Sequence, residues 1–411
     1  MDYLRKIAAE VVASAQVAPG GRIPGWQNTT GYTLLLPGGN DGYPAFWVRD
    51  AAMTLGADFI HADEVEGWVR LIASVQAGPE GIHLENNLFV PPYSIPDHIT
   101  LNGAACWYPG AMDGQNQGNG TYGFLPPADD AFYFIQMVRE HLRLTGLPAL
   151  FLSSVTTPWG RRTLLEVCER AFESVGADLK TSLIVCDAAP EKTRVDWGFC
   201  DTVRKTGSCL MPSLLRRRAA LDLSDLFRAA DRKDEAARYM REAYRIRASI
   251  PRTFFHGGIL LSATGLGHKD DIWASAYAVW QGCLPHGIED TVSRHLLELY
   301  QAGGTVLDGQ IRSLPPNGVY GGYWEQCAAA QGTYQNGAYW GTPTGWFIAA
   351  IRHVDHVAGN RLQDEFLAYL RANRAKGAPW ECINPAKAFY QNPLYCASVA
   401  LPYIALKTAK P

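Results

Sequence analysis

Apolar residues recur every three or four positions along much of the chain, which is typical of amphipathic helices. The first such stripe runs through Leu4, Ile7, Ala8, Val11 and Val12, and it predicts a helix that buries one face. Comparable patterns predict eleven more helices. The twelve predicted helices lie near 4–15, 48–61, 63–77, 128–145, 158–174, 208–230, 232–249, 271–282, 287–302, 338–357, 360–373 and 394–407.

Start signals support two of these helices. Thr157 followed by Pro158 is typical of an N-cap with proline in the first turn. Asp63 precedes the apolar stripe that contains Val65 and Trp68, and it is a second candidate N-cap.

The predicted helices are of two kinds. Odd-numbered helices such as 232–249 carry many charges on one side, whereas even-numbered helices such as 271–282 and 394–407 are apolar nearly all round. A helix that is apolar on every side must be surrounded by protein. The even set therefore predicts an inner ring and the odd set an outer ring. Helix 208–230 fits this pattern least well, because its run Arg216–Arg218 predicts a solvated face.

Loop lengths alternate in step with the two kinds of helix. Long connections follow the odd helices, and connections after even helices are short, apart from 146–157. The long ones are 18–47, 78–127, 175–207, 250–270, 303–337 and 374–393. All six would lie at the end where the positive dipoles of the inner helices point, and long loops in compact domains are usually functional. The alternation predicts an all-α fold, an (α/α)6 toroid, as one domain over residues 1–411.

Composition excludes several classes of protein. A net charge of −3 and a pI near 6.4 give no bulk attraction to nucleic acid or to an anionic membrane. No run approaches 18 apolar residues, so we expect no membrane span. The nine cysteines show no CxxC or zinc-type spacing, which indicates reduced thiols in a cytoplasmic protein. The chain contains no HExxH or similar pattern, so we expect no catalytic metal and no cofactor.

Three short motifs lie at junctions between long loops and inner helices. They are Phe46-Trp47-Val48-Arg49-Asp50-Ala51-Ala52-Met53, Tyr334-Gln335-Asn336-Gly337-Ala338-Tyr339-Trp340-Gly341 and Pro379-Trp380-Glu381-Cys382-Ile383-Asn384-Pro385. With the helix layout, they resemble the six-hairpin glycosidases, which include glucoamylases, neutral trehalases, processing glucosidases and α-L-rhamnosidases. The resemblance implies a carbohydrate substrate and hydrolysis by two carboxylates.

The same resemblance implies which carboxylates react. Glu381 matches the general-base glutamate of the segment before the last helix. The segment Val195-Asp196-Trp197-Gly198-Phe199-Cys200-Asp201 resembles a rhamnosidase pattern, which makes Asp201 the general acid and Asp196 a sugar contact and reserve donor. Rhamnosidases carry Glu at the donor position, whereas trehalases and processing glucosidases use Asp. A local turn or a cap of helix 208–230 is the alternative for this pair.

Other carboxylates have a binding and a structural interpretation. Asp50 either contacts the outer hydroxyls of a sugar, with Arg49, or starts a helix. Asp129, Asp130 and Asp271 either bind substrate or cap helices. Glu325 is a second-choice catalytic carboxylate.

Aromatic side chains cluster at these junctions. Their faces match the C–H faces of sugar rings, although a single Trp is more often a core residue. Predicted substrate contacts are Trp47, Trp197, Trp273, Trp324, Asn336, Tyr339, Trp340 and Trp380.

The leading hypothesis is an inverting, exo-acting glycosidase that releases a terminal monosaccharide. A sugar epimerase or polysaccharide lyase on a related toroid is an alternative, and those chemistries rely on His or Tyr bases. A non-catalytic carbohydrate-binding toroid is the third hypothesis. It would be favoured if Glu381 and Asp201 did not share a cavity.

Overall fold

Helices form the framework of the protein. The structure, a computed structural model, describes residues 1–38, 43–109, 123–187, 189 and 200–408. Its helices over these residues are α1 (Asp2–Ser14), α2 (Val48–Met53), α3 (Ala62–Ser74), α4 (Asp130–Thr145), α5 (Ala149–Leu152), α6 (Leu164–Ser174), α7 (Leu210–Ala229), α8 (Lys233–Phe254), α9 (Ile272–Trp280), α10 (His286–Ala302), α11 (Thr344–Arg352), α12 (His356–Asn373) and α13 (Ala397–Thr408). All twelve predicted helices are present, and the short α5 is additional.

Six of these helices contact one another in a closed cycle. The order is α2, α4, α7, α9, α11 and α13, and α13 contacts α2 again. Helices α1, α3, α6, α8, α10 and α12 each pack against members of this cycle. The burial patterns agree with the sequence: all of α2 is buried, whereas α8 buries only a stripe through residues such as Tyr239, Ala243 and Ile246. The alternation of apolar and amphipathic helices therefore corresponds to inner and outer positions.

The interpretation of the arginine run in α7 was wrong. Arg216 is buried and donates hydrogen bonds to the carbonyl oxygens of Phe172 and Val175, and its guanidinium lies 3.2 Å from Glu242. Because α7 belongs to the inner cycle, most of its side chains are buried. The buried Arg216 therefore needs internal partners rather than water, whereas Arg217 and Arg218 are half-buried.

Short antiparallel strands occupy the loops. They are β1 (Gln16–Val17), β2 (Arg22–Ile23), β3 (Trp26–Gln27), β4 (Leu34–Leu35), β5 (Ala45–Trp47), β6 (Ile82–His83), β7 (Phe89–Val90), β8 (His98–Thr100), β9 (Ala105–Cys106), β10 (Ser154–Thr157), β11 (Gly160–Thr163), β12 (Val185–Cys186), β13 (Gly207–Ser208), β14 (Phe255–His256), β15 (Ile259–Leu260), β16 (Val306–Leu307), β17 (Gln310–Ile311), β18 (Tyr339–Trp340), β19 (Trp380–Asn384) and β20 (Phe389–Pro393). The prediction of an all-α chain omitted these strands. All but β10 and β11 lie in connections that lead from an outer to an inner helix.

Two small sheets organise the loop end. Strands β5, β8 and β9 form one, and β16 to β20 form the other in sequential order. In the larger sheet Trp340 pairs with Cys382, and Cys382 pairs with Gln391. This sheet joins the loop before α11 to the loop before α13, so it fixes the position of Glu381 on β19.

Some predicted helix boundaries are wrong. Helix α6 begins at Leu164, because Thr157 belongs to the β10–β11 hairpin; its cap is Thr163, which forms a capping box with Glu166. Helix α11 begins at Thr344 rather than at 338, because residues 339–340 pair as a strand. The cap of α3 is His61, not Asp63.

Two further observations bear on the compositional predictions. The nine cysteines, which all lie in the described parts of the chain, form no disulfide, and all except Cys327 are buried. Among the residues that the structure describes, no helix is long and apolar enough to cross a bilayer.

Candidate active site

A cavity of about 390 Å³ lies at the loop end of the helix cycle. It receives side chains from the loops before α2, α4, α7, α11 and α13. Its lining consists of Tyr43, Trp47, Arg49, Asp50, Met53, Pro109, Asp201, Thr202, Ala328, Ala329, Thr333, Tyr334, Gln335, Trp340, Glu381, Phe389, Gln391 and Tyr395. Six residues that the sequence predicted as catalytic or sugar-binding therefore meet in one cavity: Trp47, Arg49, Asp50, Asp201, Trp340 and Glu381.

Glu381 is the most strongly held carboxylate of the cavity. It is buried on β19 and accepts hydrogen bonds from the hydroxyls of Tyr43 at 3.1 Å and Tyr334 at 3.0 Å. Asn392 on the neighbouring strand β20 donates to its other oxygen at 2.6 Å. These donors fix the carboxylate on a rigid strand and favour its ionised form.

Asp201 and Asp50 complete a group of three cavity carboxylates. Asp201 is half-buried in the turn before β13 and accepts a hydrogen bond from the amide of Gln335. Asp50 is buried in the first turn of α2 and accepts a hydrogen bond from the hydroxyl of Tyr395. Both partners lie far from the carboxylates in sequence, so the fold creates these contacts.

Removal from water raises the pKa of all three carboxyls. Desolvation, reinforced by the charges of Asp50 and Asp201, raises the pKa of Glu381 to about 8. Desolvation raises the pKa of Asp201 to about 7 and that of Asp50 to about 6, against the opposing charge of Arg49. Carboxyls with pKa values near neutrality can exchange protons at physiological pH, which is the property required of a general acid or base.

A buried ionic cluster supports one wall of the cavity. The guanidinium of Arg49 lies 3.0 Å from Asp129, 3.6 Å from Asp97 and 3.8 Å from Asp130. Asp97 also contacts the imidazole of His98 at 2.6 Å. Burial opposes a charged His98, but the hydrogen bond to Asp97 raises its pKa to about 10. The cluster therefore contains two cations among three carboxyl groups.

The cluster also orients an aromatic wall. His98 stacks on Trp47 with ring centroids 4.3 Å apart and planes 18° apart. Strands β5 and β8 place the two rings opposite each other, since Trp47 pairs with His98 in register. Tyr43 also contacts the indole, with ring centroids 4.7 Å apart, so three rings form this wall of the cavity.

Other predicted ligands lie behind the cavity rather than on it. Asp129 and Asp130 contact Arg49, and neither side chain caps α4. Asp271 caps α9 by accepting the amide hydrogen of Ala274 at 2.9 Å. The capping interpretation therefore describes Asp271, whereas Asp129 and Asp130 have a third role in holding an arginine.

The other aromatic residues that were predicted as substrate contacts have partners within the protein. The indoles of Trp273 and Trp324 are buried and donate to the carbonyl oxygens of Ile311 and Gln335. Tyr339 donates to Gly304 at 3.1 Å, and Trp380 packs edge-on against Tyr390. These rings do not line the described cavity.

Two polar residues that were predicted to bind substrate, Asn336 and Glu325, also lie outside the cavity lining. Asn336 is buried and accepts the amide hydrogen of Trp324 at 3.0 Å, so it shapes the loop before α11. Glu325 is exposed and lies 3.9 Å from Lys269, outside the cavity lining. Asp196 and Trp197 lie outside the described residues, and their predicted roles stay predictions.

Several residues that hold the cavity carboxylates were not predicted. Tyr43, Gln335, Asn392 and Tyr395 contact the three carboxylates directly. Gln335 belongs to the motif Tyr334–Gly341, in which its neighbour Asn336 was the predicted contact. Tyr43 lies near Asp50 in sequence and Asn392 near Glu381, and an unassigned Tyr or Asn near a motif carboxylate is the signal that could have found them. Tyr395 offered no such signal, because its partner Asp50 is far away in sequence.

No family model matches the sequence, and no curated protein sequence matches it. Solved structures with a similar fold were found. A GH63 mannosylglycerate hydrolase from Thermus thermophilus, in complex with Tris, is 13% identical with a TM-score of 0.59, covering 98% of this chain and 99% of that one. The chain has a six-hairpin glycosidase-type fold.

Two further structures show the same likeness. A rhamnosidase from Klebsiella oxytoca with rhamnose bound is 14% identical with a TM-score of 0.55, and the match covers 98% of this chain and 63% of that one. Glucoamylase from Saccharomycopsis fibuligera is 13% identical with a TM-score of 0.52, covering 99% of this chain and 96% of that one. At these identities the likeness concerns the fold, so activity has to be argued from the site.

Proposed function

We propose that the protein is an inverting, exo-acting glycoside hydrolase on an (α/α)6 toroid. Asp201 is its general acid and Glu381 its general base. The observation that carries the proposal is the meeting of Asp201 and Glu381 in one cavity, with both pKa values raised toward neutrality.

The proposed reaction consists of two proton transfers and the attack of one water molecule within this cavity. Protonated Asp201 gives its proton to the glycosidic oxygen as the bond to the anomeric carbon breaks. Ionised Glu381 takes a proton from a water molecule, whose oxygen attacks the anomeric carbon from the opposite face. During the reaction Asp50 and Arg49 bind outer hydroxyls of the sugar. Trp47 and Trp340 contact the C–H faces of its ring.

The size of the cavity supports exo action. Its volume of about 390 Å³ lies near the lower end of the usual range for ligand pockets. Such a space suits a terminal sugar unit better than a stretch of chain that enters and leaves the cavity.

The alternative hypotheses receive less support. No histidine is among the described residues that line the cavity. Burial raises the pKa values of Tyr43, Tyr334 and Tyr395 well above the usual range, so these tyrosines are poor bases for a lyase or an epimerase. A purely binding toroid does not require two carboxyls whose pKa values are about 7 and about 8.

Product stereochemistry tests inversion. We expect that hydrolysis of an aryl glycoside, chosen by screening a panel of different sugars, first releases the anomer of opposite configuration, because water attacks directly. Proton NMR early in the reaction would distinguish the anomers before mutarotation. Release of the retained anomer would contradict the proposed base role, and an epimer or unsaturated sugar would contradict hydrolysis itself.

The raised pKa values predict an unusual pH profile. Below about pH 8 Glu381 takes up a proton and cannot accept one from water, and above about pH 7 Asp201 loses the proton that it must donate. We therefore expect kcat/KM to peak between these values and to fall about tenfold per pH unit on the acid side. A non-ionising glycoside should be used, so that only the enzyme titrates. A plateau extending to about pH 5 would contradict the assignment, since the base would then titrate at the ordinary value of a glutamate.

A further inference from the structure

Three potential metal ligands converge on the surface at the end of the helix cycle opposite the cavity. His286 and Asp290 lie one turn apart on α10, so both side chains project from the same face. His353 ends α11 and precedes the short link to α12. The donor atoms of the three side chains lie within 4.8 Å of one another.

One carboxylate oxygen lies between the two imidazoles. Asp290 Oδ1 lies 3.3 Å from His286 Nδ1 and, at hydrogen-bond distance, 2.7 Å from His353 Nε2. The two imidazoles stand at 73° to each other with centroids 5.9 Å apart, so their donor atoms can point to one centre without stacking. Tetrahedral Zn²⁺ with bonds of about 2.0–2.2 Å separates its ligands by about 3.3–3.6 Å. The contact between Asp290 and His286 already has this spacing, and the hydrogen bond between Asp290 and His353 lengthens when the ion binds.

The surroundings leave room for completing the sphere. Glu289 and His356 line the same depression, which has a volume of about 500 Å³. Arg352 also borders it, but its guanidinium donates to the side chains of Asn360 at 2.8 Å and Gln363 at 2.9 Å on α12. The cation is therefore engaged on the neighbouring helix.

We propose that His286, Asp290 and His353 form a structural binding site for Zn²⁺. Two imidazoles and a carboxylate suit zinc, whereas Ca²⁺ and Mg²⁺ prefer oxygen ligands. The ion joins the first turn of outer helix α10 to the end of inner helix α11. Since an ion that binds the folded chain stabilises it by mass action, Zn²⁺ raises the melting temperature.

The test uses tag-free full-length protein freed of metal with EDTA, because a histidine tag would itself bind zinc. Titration with ZnCl2 is followed by isothermal calorimetry and by thermal melting. We expect saturable binding of one ion per chain and a higher melting temperature with Zn²⁺, but not with CaCl2 or MgCl2. Glycoside hydrolysis is measured separately, because the zinc site lies away from the cavity.

Variants locate the ion. His353→Gln and His286→Gln should each weaken zinc binding at least about tenfold, since a first-coordination ligand is lost. His295→Gln is the matched control, because His295 also lies on α10 beside an acid, Glu298, at 3.7 Å, but belongs to no three-ligand group among the described residues. Absence of saturable binding, or wild-type binding by the His353 variant, would overturn the proposal. Melting without metal verifies that each variant is folded.

Discussion

Replacement of Glu381 by Gln is expected to lower kcat by about 10³-fold, in the middle of the range measured for loss of a general base. Gln keeps the shape of the side chain and can still accept the hydrogen bonds of Tyr43 and Tyr334. The fold should therefore persist, and KM should change little, because the lost interaction acts in the transition state. Steady-state kinetics together with circular dichroism would measure both effects.

Asp201→Asn should show a different dependence on substrate. An acid is needed in proportion to the basicity of the leaving group, so the loss of rate should be large for alkyl glycosides and smaller for nitrophenyl glycosides. Glu381→Gln should impair both substrates equally, because water must be activated in either case. This contrast separates donor from base without reference to absolute rates.

The exposed Glu325 supplies a matched control. Glu325→Gln removes a carboxylate from another long loop that lies outside the cavity lining, so we expect wild-type kinetics. If Glu325→Gln were as impaired as Glu381→Gln, the assignment of the base would be wrong. If Glu381→Gln folded and retained full activity on a cleaved glycoside, the proposed mechanism would fail.

The helical framework could be predicted from sequence because its signal is local. A helix such as α9 is long enough for its all-round apolar character to be visible, and that character implies an inner position. The strands of the loops are mostly two residues long, which is too short for any periodicity to appear. Pairing partners such as Trp340 and Cys382 are set by the fold, so residues 339–340 were assigned to a helix instead.

The candidate site could be predicted only in part, for a related reason. Carboxylates such as Glu381 and Asp50 can be identified because they lie in recognisable motifs. The role of Tyr395 depends on its hydrogen bond to Asp50, which is far away in sequence. Asp129 and Asp130 illustrate a second limit of the sequence. An acid at a helix start near a sugar-binding motif has the same sequence pattern whether it faces a ligand or, as here, an arginine behind the cavity wall.

Arg49, which Asp129 and Asp130 hold, is the site of the second large expected effect, a loss of stability. Arg49→Met should reduce the free energy of unfolding by about 3–5 kcal/mol at neutral pH, because removing one partner of a buried ion pair leaves the other charge uncompensated. Asp129 would lose both of its hydrogen bonds from the guanidinium, at 3.0 and 3.3 Å. Urea denaturation would measure the loss. The penalty should shrink at acid pH, since a protonated carboxyl needs no counter-charge.

Two controls show whether this loss comes from charge burial. Arg70→Met removes a half-exposed pair with Glu66 at 2.8 Å on α3 and should cost no more than about 1 kcal/mol. The double variant Arg49→Met/Asp129→Asn removes the stranded carboxylate as well, so its loss should be smaller than the sum of the two single losses. Strict additivity would mean that Arg49 stabilises the wall below Trp47 by packing alone. The cluster would then not be the electrostatic support that holds Arg49 in the cavity.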